Sequence, residues 1–265
     1  MSFPFGVCQW CLRHESAQEQ VALASEAAFT HIHLGVMHGP QWVASTLSAV
    51  EQTRLQVTGL AFGFPGESYR SFESVRSTVG LLRQASPLDP IAAAATAARS
   101  LRTRLITTHL GLLGEDDDAD LARARSLLSE AAAVCREAGV RLAFETGQSP
   151  ARLLRELLEQ VGSPELGVNL DTGNFLIYGT DEPARAISVL RELIVHVHIK
   201  DAESPPGPGQ LGAERPLGTG EVDIPRCISK LRAVGYEGPL VLEMESAPGV
   251  EQLIEARGMI EQMFE

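Results

Sequence analysis

No stretch of the chain approaches 18 uninterrupted apolar residues, the length at which a membrane-crossing helix becomes credible. The opening residues, MSFPFGVCQW, lack a basic region leading into an apolar one, so neither a signal peptide nor a membrane span is expected. Cysteine is sparse. Cys8, Cys11, Cys135 and Cys227 sit among apolar neighbours in 265 residues, which argues against a disulfide framework and for a reducing cytoplasm. Positive charge is short as well: 22 Lys and Arg against 34 Asp and Glu leave a net −12, with a pI near 5.1. A surface of that sign repels phosphate backbones and anionic lipid, so nucleic acid and membrane are not expected partners. No linker and no repeat longer than a strand–helix unit is visible. With 44% hydrophobic residues, one core and one domain over residues 1–265 suffice.

What the chain does contain is rhythm. Eight apolar runs have strand length: FGVCQWC, THIHLGV, LQVTGLAF, RLITTHL, VRLAFE, LGVNLD, IVHVHI and PLVLEM. Amphipathic stretches of helical length fall between and after them: SAQEQVALASEAA, QWVASTLSAVEQT, DPIAAAATAARSL, DADLARARSLLSEAAAVCREAG, PARLLRELLEQVG, DEPARAISVLREL, DIPRCISKLRAVG and GVEQLIEARGMIEQMF. Such alternation builds a parallel sheet covered by helices, and eight units predict an α/β fold, a (β/α)8 TIM barrel. Gly139, Gly162 and Gly235 stand where helices should end in a left-handed cap. Pro150, Pro183 and Pro225 stand near helix starts, where a missing N–H costs little.

Four of the later runs end in residues able to hold a divalent metal: Glu145, Asp171, His198 and Glu243, at spacings of 26, 27 and 45 residues. Strand alternation places Ala143 and Arg141 in phase with Glu145, Asn169 with Asp171, His196 with His198, and Val241 with Glu243. The large apolar residues take the opposite phase, toward the helices. All four ends therefore converge on the face where barrel enzymes keep their chemistry. Two carboxylates about 4 Å apart repel by roughly 4 kcal/mol at an effective dielectric of 20. Three at one mouth require protonation or a cation. A divalent ion relieves the repulsion and takes a neutral ring nitrogen of His198 as fourth ligand. Three oxygens and one nitrogen suit Mn²⁺, Mg²⁺ or Co²⁺; Zn²⁺ is compatible, with no thiolate to favour it.

The motifs TTHLG, LAFETGQ, GVNLDTGNFLIYG, HVHIKDA, PLGTGEVD and GPLVLEME resemble those of the sugar phosphate isomerase/epimerase family of xylose-isomerase-like barrels, which includes endonuclease IV. The resemblance runs from GVCQWCL through VLEMES. It implies that Glu145, Asp171, His198 and Glu243 are the metal ligands. It also implies that Glu145 and Glu243 act as acid and base on opposite faces of a bound sugar, exchanging protons with a carbon beside a carbonyl. The ion would chelate that carbonyl and a neighbouring hydroxyl oxygen, stabilising a cis-enediolate. A small-molecule carbohydrate, free or phosphorylated, is the implied substrate, and a homodimer the implied assembly. Free-ketose epimerases often carry a histidine three residues after the metal aspartate, where this chain has Asn174. They also carry an arginine before the Pro-Gly turn after strand seven, a place Arg215 occupies or misses by one residue.

Two alternatives share the scaffold. An inosose-type dehydratase needs the same enolisation at the same metal. An endonuclease-IV-like nuclease needs further histidines, and here Asn174 takes one of those places and no Asp-x-His occurs between Asp201 and Gly220. A catalytically silent sugar-binding barrel is a third class, against which the intact glutamates argue. Further substrate contacts are expected from His109, Gln148 and Lys200, and from Glu67 on a lid-like loop, FGFPGESYRSFESV. A second long loop, DAESPPGPGQLGAERPLGTGE, lies on the same face, as functional loops often do. The run GEDDDAD reads as an acidic helix start rather than a calcium loop, whose ligand spacing it lacks. His196 and His31 read as structural, His33 is open, and Trp10 reads as core packing with an apolar wall as the other option. Cys8 and Cys11 form one C-x-x-C inside the first strand, where neither a metal nor a redox role is expected.

Overall fold

Eight parallel strands close on themselves in a computed structural model that describes residues 3–35, 39–114 and 117–263. The strands are β1 (Phe5–Cys8), β2 (His31–Gly35), β3 (Gln56–Ala61), β4 (Leu105–His109), β5 (Arg141–Glu145), β6 (Leu166–Asp171), β7 (Ile194–Ile199) and, after a small antiparallel hairpin of β8 (Asp201–Glu203) and β9 (Ala213–Arg215), β10 (Leu240–Leu242). Strands β1 to β7 pair in sequence order, and β10 closes the circle between β7 and β1. The helices are α1 (Ala17–Glu26), α2 (Gly39–Glu51), α3 (Phe72–Thr78), α4 (Leu88–Ser100), α5 (Asp118–Ala138), α6 (Ala151–Val161), α7 (Asn174–Tyr178), α8 (Pro183–Leu190), α9 (Ile224–Ala233) and α10 (Val250–Gln262). None of the described helices is long and apolar enough to cross a membrane. The fold is the predicted (β/α)8 barrel.

Local chemistry sets the boundaries. The Ser16 side chain accepts from the Glu19 amide to start α1, and Asp117 and Asp223 cap α5 and α9 in the same way, each satisfying an otherwise unpaired helix N–H. Gly139 and Gly162 end α5 and α6 at φ 67° and 64°, a conformation that costs side-chain-bearing residues energy. Asp120 in the first turn of α5 pairs with Arg83 at 2.6 Å; the run GEDDDAD is thus a helix start from Asp117 onward, and Glu115 and Asp116 lie outside the described residues. Leu142, Phe144, Val168, Leu170, Val197 and Ile199 are fully buried, in the phase assigned to the helix layer.

The first strand is shorter than its apolar run suggests. It stops at Cys8, which pairs with His33 of β2, and Gln9–Cys11 turn into a 3-10 helix. Gln9 holds that turn, donating to Gln20 at 2.8 Å and accepting from the Gly35 amide at 3.1 Å. Three short elements escape sequence periodicity altogether: α3 in the loop after β3, α7 directly after β6, and the β8–β9 hairpin. At three to seven residues each is too short to display a period.

Candidate metal centre

The inside of the barrel is polar near its C-terminal mouth. Pairing sets Asp171 beside His198, Asn169 beside His196, and His109 beside Glu145, so one layer of strand ends carries the candidate ligands. Glu243 follows the last residue of β10, its amide donating to the Ile199 carbonyl at 3.0 Å. Ligand atoms of Glu145, Asp171, His198 and Glu243 lie within 4.8 Å of one another. His198 presents Nδ1 to this group, 2.8 Å from Glu243 Oε2, 3.7 Å from Asp171 Oδ2 and 3.9 Å from Glu145 Oε2.

Each carboxylate has one oxygen tied to the protein and the other turned inward. Glu145 Oε1 accepts from Asn174 Nδ2 at 2.9 Å. Asp171 Oδ1 accepts from the amides of Gly173 and Asn174 at 2.9 and 2.7 Å. Glu243 Oε1 accepts from the Trp10 indole at 2.9 Å. The inward oxygens of Asp171 and Glu243 are buried and face the His198 ring and the Lys200 ammonium. Three buried carboxylates gathered at one point repel one another, and a divalent cation there would offset that repulsion. The hard oxygen set with one imidazole fits a divalent ion such as Mn²⁺, Mg²⁺ or Co²⁺.

The electrostatics show the same demand for positive charge. Burial pushes the Asp171 carboxyl up to about 6 against the pull of Lys200. Glu145 is also raised, by burial and then by the charge of Glu243. Glu243 moves oppositely: burial opposes its ionisation, but Lys200 and His198 hold it well below the usual carboxylate range. Burial likewise opposes the charge on His198, yet Glu243 and hydrogen bonds with Asp171 and Glu243 lift the imidazole to about 10. The Lys200 ammonium, 3.1 Å from Glu243 Oε2 and 3.4 Å from Asp171 Oδ2, is held charged by these acids despite its burial.

Behind His198 a chain of buried groups fixes the ring. His198 Nε2 lies 2.8 Å from His33 Nδ1, and His33 Nε2 lies 3.2 Å from Thr107 Oγ1. Burial and the neighbouring His196 and His198 keep His33 neutral, so it can accept from His198 Nε2–H and donate to Thr107. That tautomer leaves Nδ1 as the nitrogen facing the acids. Support of a ligand's far nitrogen typically changes metal affinity 10–100-fold. His33→Ala and Thr107→Val are therefore expected to weaken Mn²⁺ binding by about that factor; unchanged affinity in a calorimetric titration of both variants would show the relay to be idle. His196 sits one layer deeper, paired with Asn169 Oδ1 at 2.8 Å and Thr58 Oγ1 at 2.9 Å, and His31 pairs with Thr30 Oγ1 at 2.8 Å.

A cavity of about 840 Å³ opens above the four residues, with Trp10, His109, Asn174, Tyr178 and Lys200 in its wall. Not every expected contact reaches it. Gln148 is buried and absent from that wall; it borders a small adjoining void together with Glu145, Gly147 and Leu154. Arg215 faces outward, paired with Glu203 at 2.6 Å, and its neighbour Glu214 lines the cavity instead. Glu67 is absent from that wall; it accepts from the Gly80 amide at 2.7 Å and from the Tyr69 hydroxyl at 3.3 Å, while α3 is capped by Ser71. It ties the lid-like loop down. Trp10 goes beyond an apolar wall, since its indole orients Glu243. Cys8 places a ligand atom near His33 and His198, but burial first, then Glu243, holds its thiol protonated, and a thiol is a poor ligand. Cys11 is also buried, its sulfur accepting from the Met244 amide at 3.2 Å.

A sequence model of the xylose isomerase-like TIM barrel family matches residues 21–263. A protein of Actinoplanes sp. named 2-epi-5-epi-valiolone 7-phosphate 2-epimerase is 33% identical over 177 residues, which cover 64% of this chain and 62% of that protein's length. The crystal structure of a xylose isomerase domain protein from Planctomyces limnophilus superposes with a TM-score of 0.88 at 25% identity, covering 98% of this chain and 96% of that one. An L-ribulose 3-epimerase structure shares the fold with a TM-score of 0.76 at 19% identity, covering 99% of this chain and 94% of its own. The chain belongs to the xylose isomerase-like TIM barrel family.

Proposed function

We propose that this protein is a divalent-metal-dependent isomerase or epimerase of a small sugar, acting by proton transfer at a carbon beside a carbonyl. The observation that carries the reading is the convergence of Glu145 Oε2, Asp171 Oδ2, Glu243 Oε2 and His198 Nδ1, with the second oxygen of every carboxylate held elsewhere. These four residues would hold the ion, and a bound ion would supply a Lewis acid for the substrate's carbonyl oxygen. Glu145 and Glu243 belong to strands separated by β6 and β7, so they flank the mouth from different sides. One, as a carboxylate, takes a proton from the carbon, and the other, as a carboxylic acid, delivers its own solvent-derived proton to the opposite face. Trp10 keeps Glu243 in place through Oε1, as Asn174 does for Glu145, so neither carboxylate must search for its position. Trp10, Phe62 and Ile177 give the cavity an apolar wall. The Actinoplanes relative is named as an epimerase, which agrees with this chemistry. The four buried free thiols suit a reducing compartment, so we assign the protein to the cytoplasm.

The test is a solvent-deuterium screen of the metal-loaded protein across ketoses, ketose phosphates and inososes, with metal analysis alongside. Deuterium entering one compound without loss of water is expected. Loss of water would reassign the protein as a dehydratase. Cleavage of abasic DNA, or no chemistry with any carbonyl compound, would overturn the reading.

A further inference from the structure

The charge lining the cavity restricts the substrate. We propose that the substrate is an uncharged polyhydroxy carbonyl compound, bearing neither phosphate nor carboxylate; this rests on the epimerase reading above and narrows it. Among the described residues the wall contains no arginine, and its lysine, Lys200, is committed to Asp171 and Glu243. An anionic substituent would therefore find no arginine there. It would instead meet Glu214 and Glu245, both in the wall and neither in an ion pair among the described residues. A phosphate ester needs paired cations or a built cradle of amides, and α7, the helix beginning beside the site, has five residues.

The sign of this wall is decided by one register. In the β8–β9 hairpin Asp201 opposes Arg215, Ala202 opposes Glu214, and Glu203 opposes Ala213. Alternation sends Arg215 to the outer face, against Glu203, and Glu214 to the cavity. Asp201 pins the register: Oδ2 accepts from the amides of Gly218 and Gly220 at 2.9 Å each, and Oδ1 from that of Val222 at 3.1 Å. A side chain at Gly220 would collide with Asp201. Arg215 is thus excluded by backbone pairing and cannot reach the cavity by a change of rotamer. Hydroxyl groups, in contrast, find neutral partners. His109 Nδ1 is buried without a hydrogen-bond partner, and the hydroxyl-bearing side chains of Tyr69, Tyr178 and Ser246 line the same space. The Actinoplanes relative is named for a phosphate ester, so the inference separates the two chains by substrate charge.

The experiment compares D-ribulose with D-ribulose 5-phosphate, and D-fructose with D-fructose 6-phosphate, by deuterium exchange on the Mn²⁺-loaded protein. Exchange into the free ketose of the better pair is expected to exceed that into its phosphate at least about 100-fold in kcat/KM. In Glu214→Gln/Glu245→Gln that ratio is expected to fall about tenfold; reading the ratio cancels any general loss of activity. Equal or faster exchange into the phosphate, or an unmoved ratio in the double variant, overturns the proposal and leaves the epimerase reading standing. Should neither class exchange, the epimerase reading is decided by the wider screen of carbonyl compounds. Calorimetry with ribitol and ribitol 5-phosphate then tests the charge preference directly, and tighter binding of the phosphate overturns it.

Discussion

Glu145→Gln and Glu243→Gln should each lower deuterium exchange at least about 1000-fold, within the range expected for removing a general acid or base. The substitution keeps the shape and leaves an amide oxygen facing the centre, but it removes the proton-accepting function. Glu243 is held ionised by Lys200 and His198, whereas Glu145 is raised by burial and by Glu243 itself, so the two are not equivalent and neither can replace the other. Because both also face the metal position, the measurement needs a second reading. Mn²⁺ affinity is expected to fall much less than the exchange rate in each variant, since three ligands and a neutral oxygen remain. Trp10→Phe provides a graded control: it leaves the carboxylate but frees Glu243 Oε1, and should slow exchange without abolishing it. Full activity in either glutamine variant would remove the proton-transfer mechanism.

Chelation is expected to abolish exchange, and restoring Mn²⁺ to restore it together with a gain in thermal stability. An ion at 100 times its Kd stabilises the folded state by about 2.7 kcal/mol, or roughly 5–10 °C for a chain of this length. The pH dependence has a definite sign. His198 is lifted to about 10, with burial opposed and outweighed by Glu243 and the hydrogen-bonded acids, so between pH 6 and 8 it must lose a proton before Nδ1 can bind metal. Affinity should therefore rise about tenfold per pH unit in that window. Below about 6, where Asp171 also takes a proton, the dependence should steepen. Titrations at pH 5.5, 6.5 and 7.5 check this. A flat profile, or identical behaviour of chelated and metal-replete protein, would eliminate the metal centre.

Legibility in the sequence followed the range of the interactions. The strand ends at Glu145, Asp171, His198 and Glu243 could be read because a strand's side chains alternate strictly, so one run of six residues tells which neighbours share a phase. The helix end at Gly139 is local for the same reason. The groups that aim the ligands are not local. Trp10 reaches Glu243 across 233 residues and His33 reaches His198 across 165, and a barrel closing β10 onto β1 is what makes these pairs neighbours. Lys200 next to His198 was visible as a basic residue, but its insertion between Asp171 and Glu243 depends on the loop that follows β7.

By itself the chain's pattern of polar and apolar residues determined the barrel, the face on which chemistry gathers, and three acids and an imidazole at that face. Hydrophobic periodicity and strand alternation act over a few residues, and so they are written in the order of the letters. Only the tertiary structure decided which oxygen of each acid turns inward, that Gln148 stays out of the cavity wall, and that Glu214 rather than Arg215 lines it. Those outcomes depend on closure of the barrel and on the register of a three-residue hairpin, where a shift of one position reverses the face, and with it the charge, presented to a substrate.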